Sequence, residues 1–209
     1  MSAAVAYLFV AVAVAGGSGM ALEMAASRQL LPLYGDSHLI WANVIGIFLS
    51  ALTLGYFAGG ELADRRPSRR LMLALIAISG LWTAAIPVVG SSLLRSIQGS
   101  FAATQTGFIL SSLLGVLALF ALPTFLLGCV PPFGIRLALS DVRVAGKVAG
   151  SVYAISTVGS MLGTFAPVLW LMPDFGVRST FAVISAVLLL TALAGVVLPE
   201  RPRAAAAHE

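Results

Sequence analysis

Mainly apolar stretches, each near the length of a membrane-crossing helix, occupy almost all of this chain. They fall at about 3–26, 38–60, 71–90, 106–130, 149–172 and 180–198. A helix needs about 20 apolar residues to cross the hydrocarbon of a bilayer, so only short connections are left over. Asp, Glu, Lys and Arg make up 10% of the 209 residues, against about a quarter in soluble domains, and mean hydropathy is +1.02. The expected fold is all-α: a polytopic membrane helix bundle of about six transmembrane helices, one domain over 1–198, with a short cytoplasmic tail at 199–209. The lipid bilayer is the partner this composition requires. No Lys or Arg precedes Arg28 and the first apolar run is long for a leader, so the opening stretch reads as a retained span.

Basic residues divide unevenly between the connections. Arg65, Arg66, Arg69, Arg70, Arg136, Arg143, Lys147, Arg201 and Arg203 fall on one side of a six-span arrangement, and Arg28, Arg95 and Arg178 on the other. Positive charge is retained on the cytoplasmic side, which predicts cytoplasmic termini in a multi-pass protein of the cell inner (plasma) membrane. Read this way, the arginines are topology determinants, and no nucleic-acid partner is expected.

Small residues recur at helical spacing. Ala51, Gly55 and Gly59 share one face of the second span, and Gly159 with Gly163 forms a GxxxG pair in the fifth. In lipid such residues let helices approach closely, so these positions are expected at helix–helix seams. The fifth span also carries Ser151, Ser156, Thr157, Ser160 and Thr164. Its hydroxyls either line a polar path or bond back to their own helix. Pro123 is expected to kink the fourth span or open a packing gap there.

Glu23 is the sharpest anomaly. A carboxylate at membrane depth is costly and ordinarily faces a cavity or a partner. Arg28, Asp36 and Asn43 lie near it in the sequence, so a polar mouth holding a cation on the outer side is one reading. A tie between Glu23 and Arg28 at the headgroups is the other. The charged stretch from Gly60 through Asp64, Arg65, Arg69 and Arg70 reads as a cytoplasmic clamp between helix ends.

Catalytic signatures are missing. There is no nucleotide- or phosphate-binding glycine loop, no HExxH and no compact acidic cluster. Cys129 is the one cysteine, and His38 and His208 are far apart in the chain, so neither a disulfide nor a Cys/His metal site is expected. No catalytic residue, cofactor or metal is assigned.

Ser18–Ser37, SGMALEMAASRQLLPLYGDS, resembles the opening membrane segment of spermidine synthase-like membrane proteins, with Gly19, Glu23, Arg28, Gly35 and Ser37 at matching places. Small residues stand where that family usually has a tryptophan after the glutamate. GYFAGGELADRR, PTFLLGCVPPFGIRL and GSVYAISTVGSMLGTFAPVLWLMPDFG are similar to later segments of the same proteins, in the same order. Many members are fused to a cytosolic aminopropyltransferase domain, and only the segment from Glu200 to Glu209 follows the sixth span here. The resemblance therefore implies a non-catalytic membrane domain acting with a separate cytosolic aminopropyltransferase-like enzyme or another subunit. Gly60, Asp64, Arg65, Arg69 and Arg70 also resemble the signature loop of major facilitator transporters, departing from it at Pro67–Ser68. Six spans equal half of such a fold, which implies a homo-oligomer or a small permease for a polyamine or other cation. A structural or assembly protein is the third reading.

Overall fold

A computed structural model describes residues 3–101, 104–139 and 141–197. The expected tail, 199–209, lies outside them. The chain forms α1 (Ala3–Tyr34), α2 (His38–Arg65), α3 (Arg69–Phe101), α4 (Gln105–Gly128), α5 (Val130–Ala138), α6 (Ala145–Ala166) and α7 (Met172–Val197). A 3-10 turn at Val142–Val144 precedes α6, and a π-helical stretch, Pro167–Leu171, joins α6 to α7. No strand occurs among the described residues.

Five helical runs are long and apolar enough to cross a bilayer: Ala4–Tyr34, His38–Arg65, Arg69–Phe101, Gln105–Ala138 and Val142–Val197. The last has 56 residues. At 1.5 Å per residue a straight helix of that length would reach about 84 Å, nearly three times the hydrocarbon thickness. It is broken at Gly176, whose φ of 80° and ψ of 170° lie outside helical space. Only glycine reaches that conformation without strain. Both limbs pack on α1, but α6 also packs on α5 and α7 mainly on α3.

Several connections expected from sequence are helical instead. Helix α1 continues through Pro32 to Tyr34, and α3 through Arg95 to Phe101. A helix leaving the hydrocarbon has no reason to stop there, because its backbone bonds stay satisfied. The turn after α1 closes at Gly35, φ 71°, and Ser37 caps α2 by accepting from the Leu39 N–H at 3.3 Å.

Helix α1 and the α4–α5 run are the most enclosed, and α6, with only Val152 and Gly159 buried, the least. The main pairings are α1 with α6, α2 with α4, α3 with α7, α3 with α4 and α1 with α7. Exchanging α1 with α4, α2 with α6 and α3 with α7 maps these pairings onto themselves. The two halves of the bundle thus share a packing plan. At its centre Phe120 of α4 lies 5.9 Å from Phe48 of α2 and 6.0 Å from Phe181 of α7, measured between ring centroids.

Prolines inside these helices remove backbone donors, and at Pro123 a side chain of another helix makes up the loss; two serines add further bonds between helices. Pro123 has no N–H for the Leu119 carbonyl one turn back. The Trp82 indole of α3 donates to that carbonyl at 2.8 Å. Ser79 of α3 donates to the Pro123 carbonyl at 3.1 Å, and Ser185 of α7 to the Gly80 carbonyl at 2.9 Å. Helix α4 stays continuous through Pro123 from Gln105 to Gly128.

Candidate functional site

The site is set by how α6 lies on α1. A Cβ built on Gly16 would stand 2.7 Å from both the carbonyl and the hydroxyl oxygen of Ser156, and 3.0 Å from the Ser160 hydroxyl. One built on Gly17 would stand 2.8 Å from the Gly159 carbonyl oxygen. In return, a Cβ on Gly159 would overlap the Ala13 carbonyl, and one on Gly163 the Gly17 carbonyl. Backbone meets backbone along this seam, as the small-residue spacing of the fifth span leads one to expect.

The pairs Ala13–Gly159 and Gly17–Gly163 advance together, so the two helices run parallel in register. Glu23 is seven residues beyond Gly16, within about 20° of the same helical face. The same step along α6 leads from Ser156 and Ser160 to Gly163 and Pro167. Glu23 therefore comes level with the start of the π-helical stretch, which also packs on α1. Pro167 has no N–H to return to the Gly163 carbonyl, and π-turns inside helices are frequent at functional sites.

Glu23 is 8% exposed. Its carboxylate makes no hydrogen bond or ion pair among the described residues. Ser156 and Ser160 are partly buried and likewise make no side-chain hydrogen bond among them. Thr157 and Thr164 instead return theirs to the Tyr153 and Ser160 carbonyls of their own helix, both at 2.9 Å. Along this seam lie two hydroxyls beside Gly16 and, about two helical turns further on, the Glu23 carboxylate, all with unspent hydrogen-bonding capacity.

The other residues expected around Glu23 are placed elsewhere. Because α1 does not end at Ala26, Arg28 stands about 140° round the helix from Glu23. Arg28 and Asp36 are exposed. Asn43 is committed to α4, its amide donating to the Ser112 hydroxyl at 2.8 Å and the Ile109 carbonyl at 3.1 Å. No hydrogen bond or ion pair among the described residues joins Glu23 to any of the three.

At the far end of the bundle the charged connection after α2 makes several separate ties. Asp64 pairs with Arg136 of α5 at 3.3 Å, and Glu61 with Arg65 at 2.6 Å. The Arg69 guanidinium lies 5.2 Å from the centre of the Tyr7 ring and donates to the Gly195 carbonyl. Tyr7 donates to the Thr191 carbonyl at 2.7 Å. The sequence carries little signal for Tyr7, a lone phenol in the first turns of an Ala/Val-rich span. Gly60 makes no close approach, since a Cβ there would meet nothing within 4 Å. Gly55 and Gly59 do: a Cβ on Gly55 would stand 2.9 Å from the Gly128 Cα, and one on Gly59 2.9 Å from the Cys129 Cβ.

Among the described residues no group of three His, Cys, Asp or Glu side chains is placed to hold a metal ion. No protein-family model, curated protein or solved structure matches the chain. Fold and composition define its class: an all-α, multi-span membrane helix bundle.

Proposed function

We propose that this protein is a small cation carrier whose binding group is Glu23, with α6 as the element that moves against α1. The observation that carries this reading is a carboxylate on the enclosed helix α1, 8% exposed, level with an irregular stretch of α6 and with no partner among the described residues. An unpaired carboxylate in hydrocarbon is expensive, and a cation or proton offsets that cost. Carbonyls released where a membrane helix departs from α geometry are ordinary ligands for the same cation. The break at Gly176 supports six crossings, with the Arg69 end of the bundle in the cytoplasm by the distribution of basic residues. Glu23 then lies about 24 Å along α1 from Tyr7, toward the outer side of the membrane. The matched pairings of the two halves are the packing plan expected of a transporter built from inverted three-helix repeats. No observation favours a role beside a separate aminopropyltransferase-like enzyme, or a purely structural role, over this one.

The test is flux into proteoliposomes holding the purified protein, with spermidine, sodium and protons as separate probes. At least one is expected to cross, and Glu23→Gln to reduce that flux at least about tenfold while the protein stays monodisperse and helical. Equal flux through the Glu23→Gln protein, or none above empty liposomes for all three probes, would overturn the reading.

A further inference from the structure

At several glycines an added Cβ would meet nothing within 4 Å. All of these are exposed or half-buried except Gly19 of α1, which is buried. The open space beside Gly19 therefore lies inside the bundle, a hollow with room for a group the size of a water. Glu23 stands one turn above Gly19 on the same side of α1, and helical side chains lean back over the preceding turn. The buried carboxylate thus borders the hollow. The hydroxyls of Ser156 and Ser160 stand against Gly16, one turn below Gly19. Helical carbonyls point toward the C-terminus, so that of Gly163, left without a donor by Pro167, points along α6 toward the level of Glu23.

Glu23 is the one buried acid among the described residues: Asp36, Glu61, Asp64, Asp141 and Asp174 are all exposed. It brings a single negative charge to a place where net charge of either sign is costly. One monovalent cation cancels it. A divalent ion would leave a positive charge over, and a polyamine more than one. The grooves of about 900 and 430 Å³ on the bundle lie between α3 and α7 and between α3 and α4, and Glu23 lines neither. Resting on the reading of Glu23 as the binding group, we infer that its ligand is a single alkali-metal cation seated in the hollow beside Gly19. Its ligands are oxygens: the Glu23 carboxylate, with neutral hydroxyls and carbonyls of the α1–α6 seam or water. A proton would neutralise Glu23 without needing space, and the hollow is what favours a metal ion. Gly19 sets the size of that space.

Thermal unfolding of the full chain in mild detergent tests this, titrated with sodium or potassium chloride against choline chloride at equal ionic strength. Spermidine and magnesium chlorides are the other arms. At least one alkali ion is expected to raise the unfolding temperature saturably, and neither spermidine nor magnesium to do so. Glu23→Gln should abolish the response. Gly19→Ala adds a methyl group that meets nothing within 4 Å, so the protein should stay monodisperse and helical. Its alkali-ion affinity should fall about tenfold, the scale of one extra methyl group in a closed space, and Gly19→Val should abolish binding. No alkali-ion response, beside flux of spermidine or protons that needs Glu23, would overturn this inference and leave the carrier reading standing. A response kept in full in Glu23→Gln, or no response together with no flux of any probe, would overturn both. Unchanged affinity in both Gly19 variants would put the ion outside the hollow and overturn the proposal.

Discussion

Helices α1 and α6 pack through glycine, and so do α2 and α4. The two seams hold equivalent places in the bundle, and they differ in what else secures them. Helix α2 is tied to α4 by Asn43 near one end and to α5 by the Asp64–Arg136 pair at the other. Among the described residues α6 makes no side-chain hydrogen bond or ion pair to any other helix. Packing at the α1–α6 seam rests on close backbone approach, which is strong in sum and weakly directional. A seam with directional ties resists sliding; one without them does not. The free seam is also the one beside Glu23, where a ligand must enter and leave.

The comparison is broken most severely by adding a methyl group to each seam. On fixed backbones Gly163→Ala would be the worse change, because its Cβ overlaps the Gly17 carbonyl more deeply than a Cβ on Gly55 overlaps the Phe125 carbonyl. A free seam reverses that order. Gly55→Ala is expected to cost about 3 kcal/mol, since α2 cannot retreat without straining its ties, and Gly163→Ala about 1 kcal/mol. Gly46→Ala, where a Cβ meets nothing within 4 Å, is the control and should change stability by under about 0.5 kcal/mol. Unfolding of each protein in mixed detergent micelles reads the difference. Greater loss in the Gly163→Ala protein than in the Gly55→Ala protein would mean that α6 is held as firmly as α2.

A smaller effect sharpens the same contrast. Asn43→Ala removes two interhelical hydrogen bonds and should cost about 1 kcal/mol, in the range for such bonds between membrane helices. In that background the Gly55→Ala penalty should fall toward the Gly163→Ala value. An unchanged penalty would show that Asn43 does not hold the α2–α4 seam.

The bundle itself was legible in the sequence, because a bilayer requires long apolar helices and leaves few alternatives. Gly55 and Gly59, and Gly159 and Gly163, were legible as seam residues from their four-residue spacing. Their partners were not. Nothing local to Gly163 names Gly17, which lies at the other end of the chain, and neither position betrays how close the backbones come. Asn43 illustrates the same limit: near Glu23 and Asp36 in sequence it reads as part of a polar mouth, and packing hands it to α4. The ends of α1 and α3 lie beyond the turn signals at Pro32 and around Arg95, because such residues signal a turn only where water competes for the backbone. Glu23 stood out for a reason that needs no neighbours, the cost of charge in hydrocarbon.

The claim that matters most is that a cation at Glu23 is coupled to movement of α6 on α1. Spin labels at Leu31→Cys and Phe165→Cys report on that seam, and labels at Leu49→Cys and Leu117→Cys on the α2–α4 seam. All four side chains are at least one-third exposed, and the native Cys129 is removed as Cys129→Ser. Electron–electron distance measurements in liposomes, with and without the cation found to cross, compare the two pairs directly. The expected result is a shift of at least about 2 Å between α1 and α6, lost in Glu23→Gln, with the α2–α4 distance unchanged. Two distances that stay fixed, or that move together, would contradict it.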